Sequence, residues 1–147
     1  MVGALHQPKR GDRRDGDHSC RDQGGHRGLP ADVEGGRYDL IFDLGRRLVR
    51  VQCKWAPRHG DVVIVRCYSS RRNCDGLLRR RYAAGEIDAF AAYCPELDRC
   101  YYLPFGVFAR HTQVQLRLGP SRNNQSQGVN WASDYEFEAR LRTTQGP

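Results

Sequence analysis

All 14 aromatic residues of this chain (seven Tyr, five Phe and two Trp) lie between Tyr38 and Phe137. Large rings supply much of the burial that stabilises a compact fold, so the core has to be built from that stretch. The first 36 residues hold eight Gly and only eight apolar residues. Such a segment buries too little surface to offset the entropy of ordering it. Residues 1–35 therefore read as a disordered tail, and residues 36–147 as one folded domain. The charge divides in the same way. Lys9, Arg10, Arg13, Arg14, Arg21 and Arg27 are balanced by Asp12, Asp15, Asp17, Asp22, Asp32 and Glu34, so the whole formal charge of +7 belongs to the domain. A basic domain favours an anionic partner such as nucleic acid.

No apolar run approaches the ~18 residues that cross a bilayer. The opening "MVGALHQPKRGDRRDGDHS" lacks the apolar segment of a secretory signal. These features predict a cytoplasmic protein with no membrane partner. Its six cysteines (residues 20, 53, 67, 74, 94 and 100) are then expected as thiols. None forms a CxxC pair, and Cys53, Cys67 and Cys94 read as small buried hydrophobes in strands. His18, Cys20 and His26 carry metal-binding groups, but read more simply as solvated tail residues.

From Arg37 onward the texture is that of strands. "YDLIFD" (38–43), "RRLVRVQCKW" (46–55), "DVVIVRCY" (61–68), "EIDAFAAYC" (86–94) and "RCYYLPF" (99–105) are rich in β-branched and aromatic residues. "NWASDYEFEARLR" (130–142) predicts a short helix capped by Ser133 or Asn130. The first two strands also yield a register. Gly45-Arg46 suits a two-residue type II′ turn, with Gly at the first central position. Leu44 then pairs with Arg47, and Asp39 falls opposite Gln52 with Cβ atoms ~5 Å apart. Lys54 lies on the same face, two residues on, because strand side chains alternate. The other face collects Leu40, Phe42, Val49, Val51 and Cys53, which is a core face.

Lys54 is unusual in its own right. The chain has 22 Arg and two Lys, the other being Lys9. A compact, rotatable ammonium differs in kind from a planar guanidinium. An acid, a carboxamide and an ammonium on one face suit metal-assisted phosphodiester cleavage. The Asp39 carboxylate, the Gln52 amide oxygen and the Cys53 backbone carbonyl are hard ligands for Mg²⁺ or Mn²⁺. Lys54 would orient the attacking water or neutralise the scissile phosphate. The same residues also fit an ordinary cross-strand hydrogen-bonded pair beside a solvated lysine.

The string "RYDLIFDLGRRLVRVQCKW" (37–55) resembles the PD-(D/E)XK endonucleases, in particular the group I intron-associated bacterial homing endonucleases of that fold. "GEIDAFAAYCPELDRCYYLP" (85–104) and "SRNNQSQGVNWASDYEF" (121–137) extend the resemblance over roughly residues 36–138. It implies an α/β, restriction-endonuclease-like core with a mixed central sheet and few helices. It also implies that Asp39 is the metal-binding aspartate, that Gln52 replaces the usual second acid, and that Lys54 is the active-site lysine. The family places a helix with a metal-assisting acid ahead of the first strand. Residues 1–35 show no helical apolar pattern, and Asp32 and Glu34 sit in the loop-like "PADVEGG". The Arg/Gly/Asp/His-rich texture is that of a GC-rich gene read out of frame. It predicts that this stretch does not represent the ancestral N-terminus and that the family helix is missing.

Residues 66–81, "RCYSSRRNCDGLLRRR", carry six arginines and one acid. They read as a basic loop in which Arg66, Arg71, Arg72, Arg79, Arg80 and Arg81 contact phosphates or guanine edges, with Ser69 and Ser70 adding phosphate hydrogen bonds. Arg122 and Asn123 belong to the amide-rich "PSRNNQSQGVN" (120–130), a second candidate DNA contact. Glu86 and Asp88 flank a strand start and read as structural, with an extra metal ligand as the alternative, and His59 and His111 have no evident partner. The leading expectation is a Mg²⁺-dependent endonuclease on double-stranded DNA. A single module buries only ~600–1,000 Å² on DNA, so a homo-oligomer is expected. The alternatives are a catalytically impaired DNA-binding protein of the same fold, or a junction-resolvase or restriction-type nuclease.

Overall fold

The computed structural model describes residues 37–145 and the backbone of residues 28–30. Its strands are β1 (Gly28–Pro30), β2 (Leu40–Asp43), β3 (Leu48–Trp55), β4 (Arg58–His59), β5 (Val62–Arg66), β6 (Tyr68–Asn73), β7 (Gly76–Arg81), β8 (Ala89–Cys94), β9 (Arg99–Pro104), β10 (Gln113–Arg117) and β11 (Asn130–Trp131). The helices are α1 (Phe105–Phe108) and α2 (Phe137–Gln145), the latter preceded by a 3-10 turn, Ala132–Tyr135.

A central sheet has the order β1-β2-β3-β8-β9, and a second sheet the order β11-β10-β5-β4. In the central sheet β3 and β8 run parallel, while β2–β3 and β8–β9 are antiparallel, so the sheet is mixed as expected. A parallel pair needs a long crossover, most often helical. Here residues 56–88 make that crossing as strands β4 to β7.

The first hairpin has the expected register, pairing Leu40 with Val51 and Phe42 with Val49. Leu44 N–H donates to Arg47 O at 2.9 Å, and Gly45 takes φ +80°, a value that glycine adopts without a Cβ clash. Leu40, Phe42, Val49 and Val51 are buried with Ala89, Ala91 and Tyr102 against Phe137 and Leu141 of α2. Phe137 sits edge-on to Phe42 and Tyr102, with ring centres 5.5 and 5.9 Å away. The other face of the central sheet, carrying Phe90, Ala92, Tyr101 and Leu103, packs on Val63 and Val65 of β5 and Val114 and Leu116 of β10. Strand β8, "AFAAYC", is apolar almost throughout because it is covered on both faces.

Several elements depart from the sequence reading. Asn130 and Trp131 do not cap a helix. They pair in parallel with Leu116 and Arg117 of β10, and α2 starts only at Phe137. A backbone already committed to a sheet edge cannot open a helix. The basic stretch is not a loop but an antiparallel ribbon, β6–β7, pairing Tyr68 with Arg81 through Asn73 with Gly76. Strand β10 was not anticipated. Cys53, Cys67, Cys74 and Cys94 are free thiols, but Cys100 is disulfide-bonded. Gly28–Pro30, inside the stretch read as tail, pairs antiparallel with β2. The remaining expectations for the N-terminus, namely the tail, the His18, Cys20 and His26 group, the missing family helix and the reading frame, lie outside the described residues. Among the described residues no helix is long and apolar enough to cross a membrane.

Candidate active site

The ladder between β2 and β3 slips at its open end. Asp39 N–H donates to Val51 O at 2.9 Å, although Val51 already pairs with Leu40. Two residues address one, as in a β-bulge, and bulges re-aim a side chain. The Asp39 carboxylate consequently reaches the opposite strand. Its Oδ2 accepts from the Gln52 amide and from Cys53 N–H, the latter at 2.9 Å. Gln52 Nε2 also lies 3.4 Å from Cys53 O, so that carbonyl faces the same group. The Cys53 side chain instead packs against the core under α2. Asp39, Gln52 and the Cys53 main chain therefore form one contacting set on the face opposite Leu40, Phe42, Val49 and Val51.

Lys54 leans from this set toward the ribbon. Its Nζ donates to Tyr68 O at 2.8 Å and to the Tyr82 hydroxyl at 3.0 Å. Burial pushes the ammonium down from 10.5 to about 8, against the upward pull of Asp39. The nearby Cys67 thiol is raised by burial to about 11, partly offset by Lys54. Burial likewise raises the Tyr82 phenol, so it stays protonated beside Lys54. Arg37 stacks over the Tyr82 ring at 4.4 Å, and its guanidinium donates to Ser69 Oγ (3.2 Å) and Arg81 O (2.8 Å). Both strands of the ribbon are thus tied at their root to the group that holds Lys54.

Glu86 and Asp88 are both engaged in hydrogen bonds and ion pairs within the fold. Glu86 accepts from Ala83 N–H at 2.8 Å and from Arg80 at 2.9 Å, and pairs with Arg37 at 3.0 Å. The Ala83 amide, with Arg37 and Arg80 behind it, holds Glu86 below the usual carboxylate range. Burial works to raise Asp88, but hydrogen bonds from Arg50 outweigh it and keep the group low. Asp88 also closes the sheet locally, since Arg50 N–H donates to its Oδ2 at 2.8 Å.

The candidate DNA-contacting residues fall into three places. Ser70, Arg71, Arg72 and Arg79 are exposed on the ribbon, with Arg79 stacked on Tyr68 at 5.0 Å. Ser69, Arg80 and Arg81 are engaged at its root: Ser69 Oγ with Arg37 and with Arg80 O, Arg80 with Glu86, and the Arg81 carbonyl with Arg37. Arg66 projects from the outer face of the second sheet, and Arg122 and Asn123 are exposed in the segment after β10. Sequence reasoning missed Tyr82, Tyr68 O and Arg37 as the surroundings of Lys54. A lone tyrosine in "RRRYAAG" carries no signal for that role.

A mixed sheet with the acid, amide and lysine on its first hairpin is the restriction-endonuclease-like α/β fold. The family model of the PD-(D/E)XK endonucleases matches residues 31–138, and the chain belongs to that family. Among solved structures, that of a bacterial homing endonuclease, I-Ssp6803I, is similar at 24% identity with a TM-score of 0.64. The likeness covers 83% of this chain and 82% of that one. No curated protein matches the chain.

Proposed function

We propose that this protein is a divalent-metal-dependent endonuclease of the homing type, which hydrolyses phosphodiester bonds in duplex DNA as a homo-oligomer. The observation that carries this reading is the contact of the Asp39 carboxylate with the Gln52 amide and the Cys53 main chain, with the Lys54 ammonium beside them. The donor set fits a hard cation. Among the described residues no three His, Cys, Asp or Glu side chains gather. The group offers one carboxylate and neutral oxygens, which suits Mg²⁺ or Mn²⁺ because such ions retain several waters. Asp39, Gln52 and the Cys53 carbonyl would hold the ion, Gln52 by a half-turn that exchanges its amide nitrogen for oxygen. A bound divalent ion supplies a water of lowered pKa and offsets charge at the phosphate.

The remaining work falls to the chain itself. Lys54 keeps a protonated donor near the reacting phosphate at neutral pH, and its flexible stem lets it exchange the Tyr68 carbonyl for a phosphate or water oxygen. Arg71, Arg72, Arg79 and Arg66 neutralise backbone phosphates, and Arg122 and Asn123 contact the duplex from the second sheet. Nicking of supercoiled plasmid in Mg²⁺ tests the reading. The wild type is expected to nick, and Lys54→Ala to lose ~10²–10⁴-fold in rate while still shifting duplex DNA in a gel.

A second reading, a DNA-binding protein of the same fold that no longer cuts, is favoured by one observation: Asp39 is the only acid of the contacting set among the described residues. Gel shift by the wild type with no nicking in Mg²⁺ or Mn²⁺ would establish it.

A further inference from the structure

The outer face of the second sheet carries Arg66, Gln113, Gln115 and Arg117 beside the half-buried Val62 and Ile64. Val63, Val65, Val114 and Leu116 point inward and are buried. The alternate positions therefore point outward: Gln113 opposite Arg66, Gln115 opposite Ile64, and Arg117 opposite Val62. Gln113 and Gln115 are exposed, and their carboxamides take no hydrogen-bond partner among the described residues. The segment after β10 folds back beside them. Asn123 and Gln125 are linked to each other at 3.5 Å, and together with Gln113, Gln115, Arg117 and Asn130 they line a groove of about 290 Å³. No carboxylate lines it.

A groove walled by carboxamides, with one arginine and no acid, is matched to a ligand that is anionic overall and presents paired donors and acceptors. The edges of base pairs between two phosphate backbones have that character. Position adds a second argument. Arg66 stands at one end of this face, and Tyr68, two residues on, carries the carbonyl that takes the Lys54 ammonium. Outward residues two apart on a strand are separated by ~6.7 Å, close to two base-pair steps of ~3.4 Å.

We propose that this face is the base-reading surface of the protein, with Gln113 and Gln115 as specificity-determining residues that read adenine edges in the major groove. The inference rests on the reading of the chain as a duplex-DNA binder and adds where and how it chooses a sequence. Asn and Gln pair bidentately with adenine N6 and N7, whereas Glu accepts from cytosine N4.

The test is selection of bound duplexes from a randomised pool by the full chain, with Ca²⁺ in place of Mg²⁺. The wild type is expected to enrich A·T pairs at defined positions. Gln113→Ala with Gln115→Ala should flatten those preferences roughly tenfold or more per position and leave the salt dependence of binding unchanged. Gln115→Glu should move one preference from adenine toward cytosine. Both side chains are exposed, so these variants fold. If the double variant enriches the same sequences as the wild type, or loses affinity evenly across the pool, this proposal fails while DNA binding stands. If the wild type retains no duplex at all, both readings fail.

Discussion

Two of the antiparallel hairpins among the described residues, β2–β3 and β6–β7, are held in opposite ways. The β2–β3 hairpin has one face sealed: Phe42, Val49 and Val51 are wholly buried beneath α2. The β6–β7 ribbon has no such face. Its second strand is exposed at every residue, and Leu77 and Leu78 are 56% and 61% accessible. A two-stranded ribbon without a core is marginal in water. This one is anchored at its root, by Arg37 to Ser69 and Arg81 and by Lys54 to Tyr68 O. The packed hairpin can hold Asp39 against Gln52 and the Cys53 main chain in fixed contact, as chemistry requires. The anchored one stays registered to the same lysine through its root alone.

Core truncation should separate the two most strongly. Phe42→Ala is expected to cost ~3–5 kcal/mol of folding stability, and Leu78→Ala within about 0.5 kcal/mol of nothing. Urea denaturation of both variants measures this, and equal losses would break the contrast. On DNA the order reverses. Replacing Arg71, Arg72 and Arg79 together by Ala should lower the slope of log affinity against log salt by up to ~2.7, at ~0.9 per phosphate contact. Titrations at several salt concentrations read that slope, while the thermal midpoint should hardly move.

The smallest effect sharpens the link between the hairpins. Lys54 titrates lower in the folded protein than in the unfolded chain, so the unfolded chain binds more protons between pH 8 and 10.5. Stability from this group therefore rises with pH across that window, by at most ~1.4 kcal/mol per unit. Cys67, raised from 9.0 to about 11, acts in the opposite sense above pH 9. The term is isolated by subtracting the profile of Lys54→Met, whose stability should exceed that of the wild type most at low pH. A difference that does not change with pH would mean that burial does not depress Lys54.

The first hairpin was legible in the sequence because two independent signals agree there. Gly45 fixes the turn, and the alternation of Val49, Val51 and Cys53 with Arg50, Gln52 and Lys54 fixes the faces. A slip of one residue would have turned every core side chain to water. The placement of Asp39, Gln52 and Lys54 followed from that register. The bulge at Asp39 did not, since it is a local trade between backbone partners that leaves no mark on side-chain periodicity. The ribbon was hidden because a strand solvated on both faces shows no alternation, and "RRNCDGLLRRR" reads as a charged loop. The company Lys54 keeps was hidden for the same reason: Tyr82 and Tyr68 O reach it only once the ribbon is folded. Strand β10, "QVQLR", does alternate, but its five residues are short against the polar stretches around them.

The non-helical bridge between β3 and β8 has a consequence for descent. It departs immediately after Lys54 and Trp55 and returns at Ala89, and these two ends are fixed by a parallel pair inside the sheet. Within it, the outer part of the β6–β7 ribbon is exposed and lies outside the core, so it can lengthen, shorten or change its charges without disturbing the strands the bridge joins. Lineages of this fold can therefore alter the charge and reach of one ribbon while the packed strands beneath it are inherited unchanged.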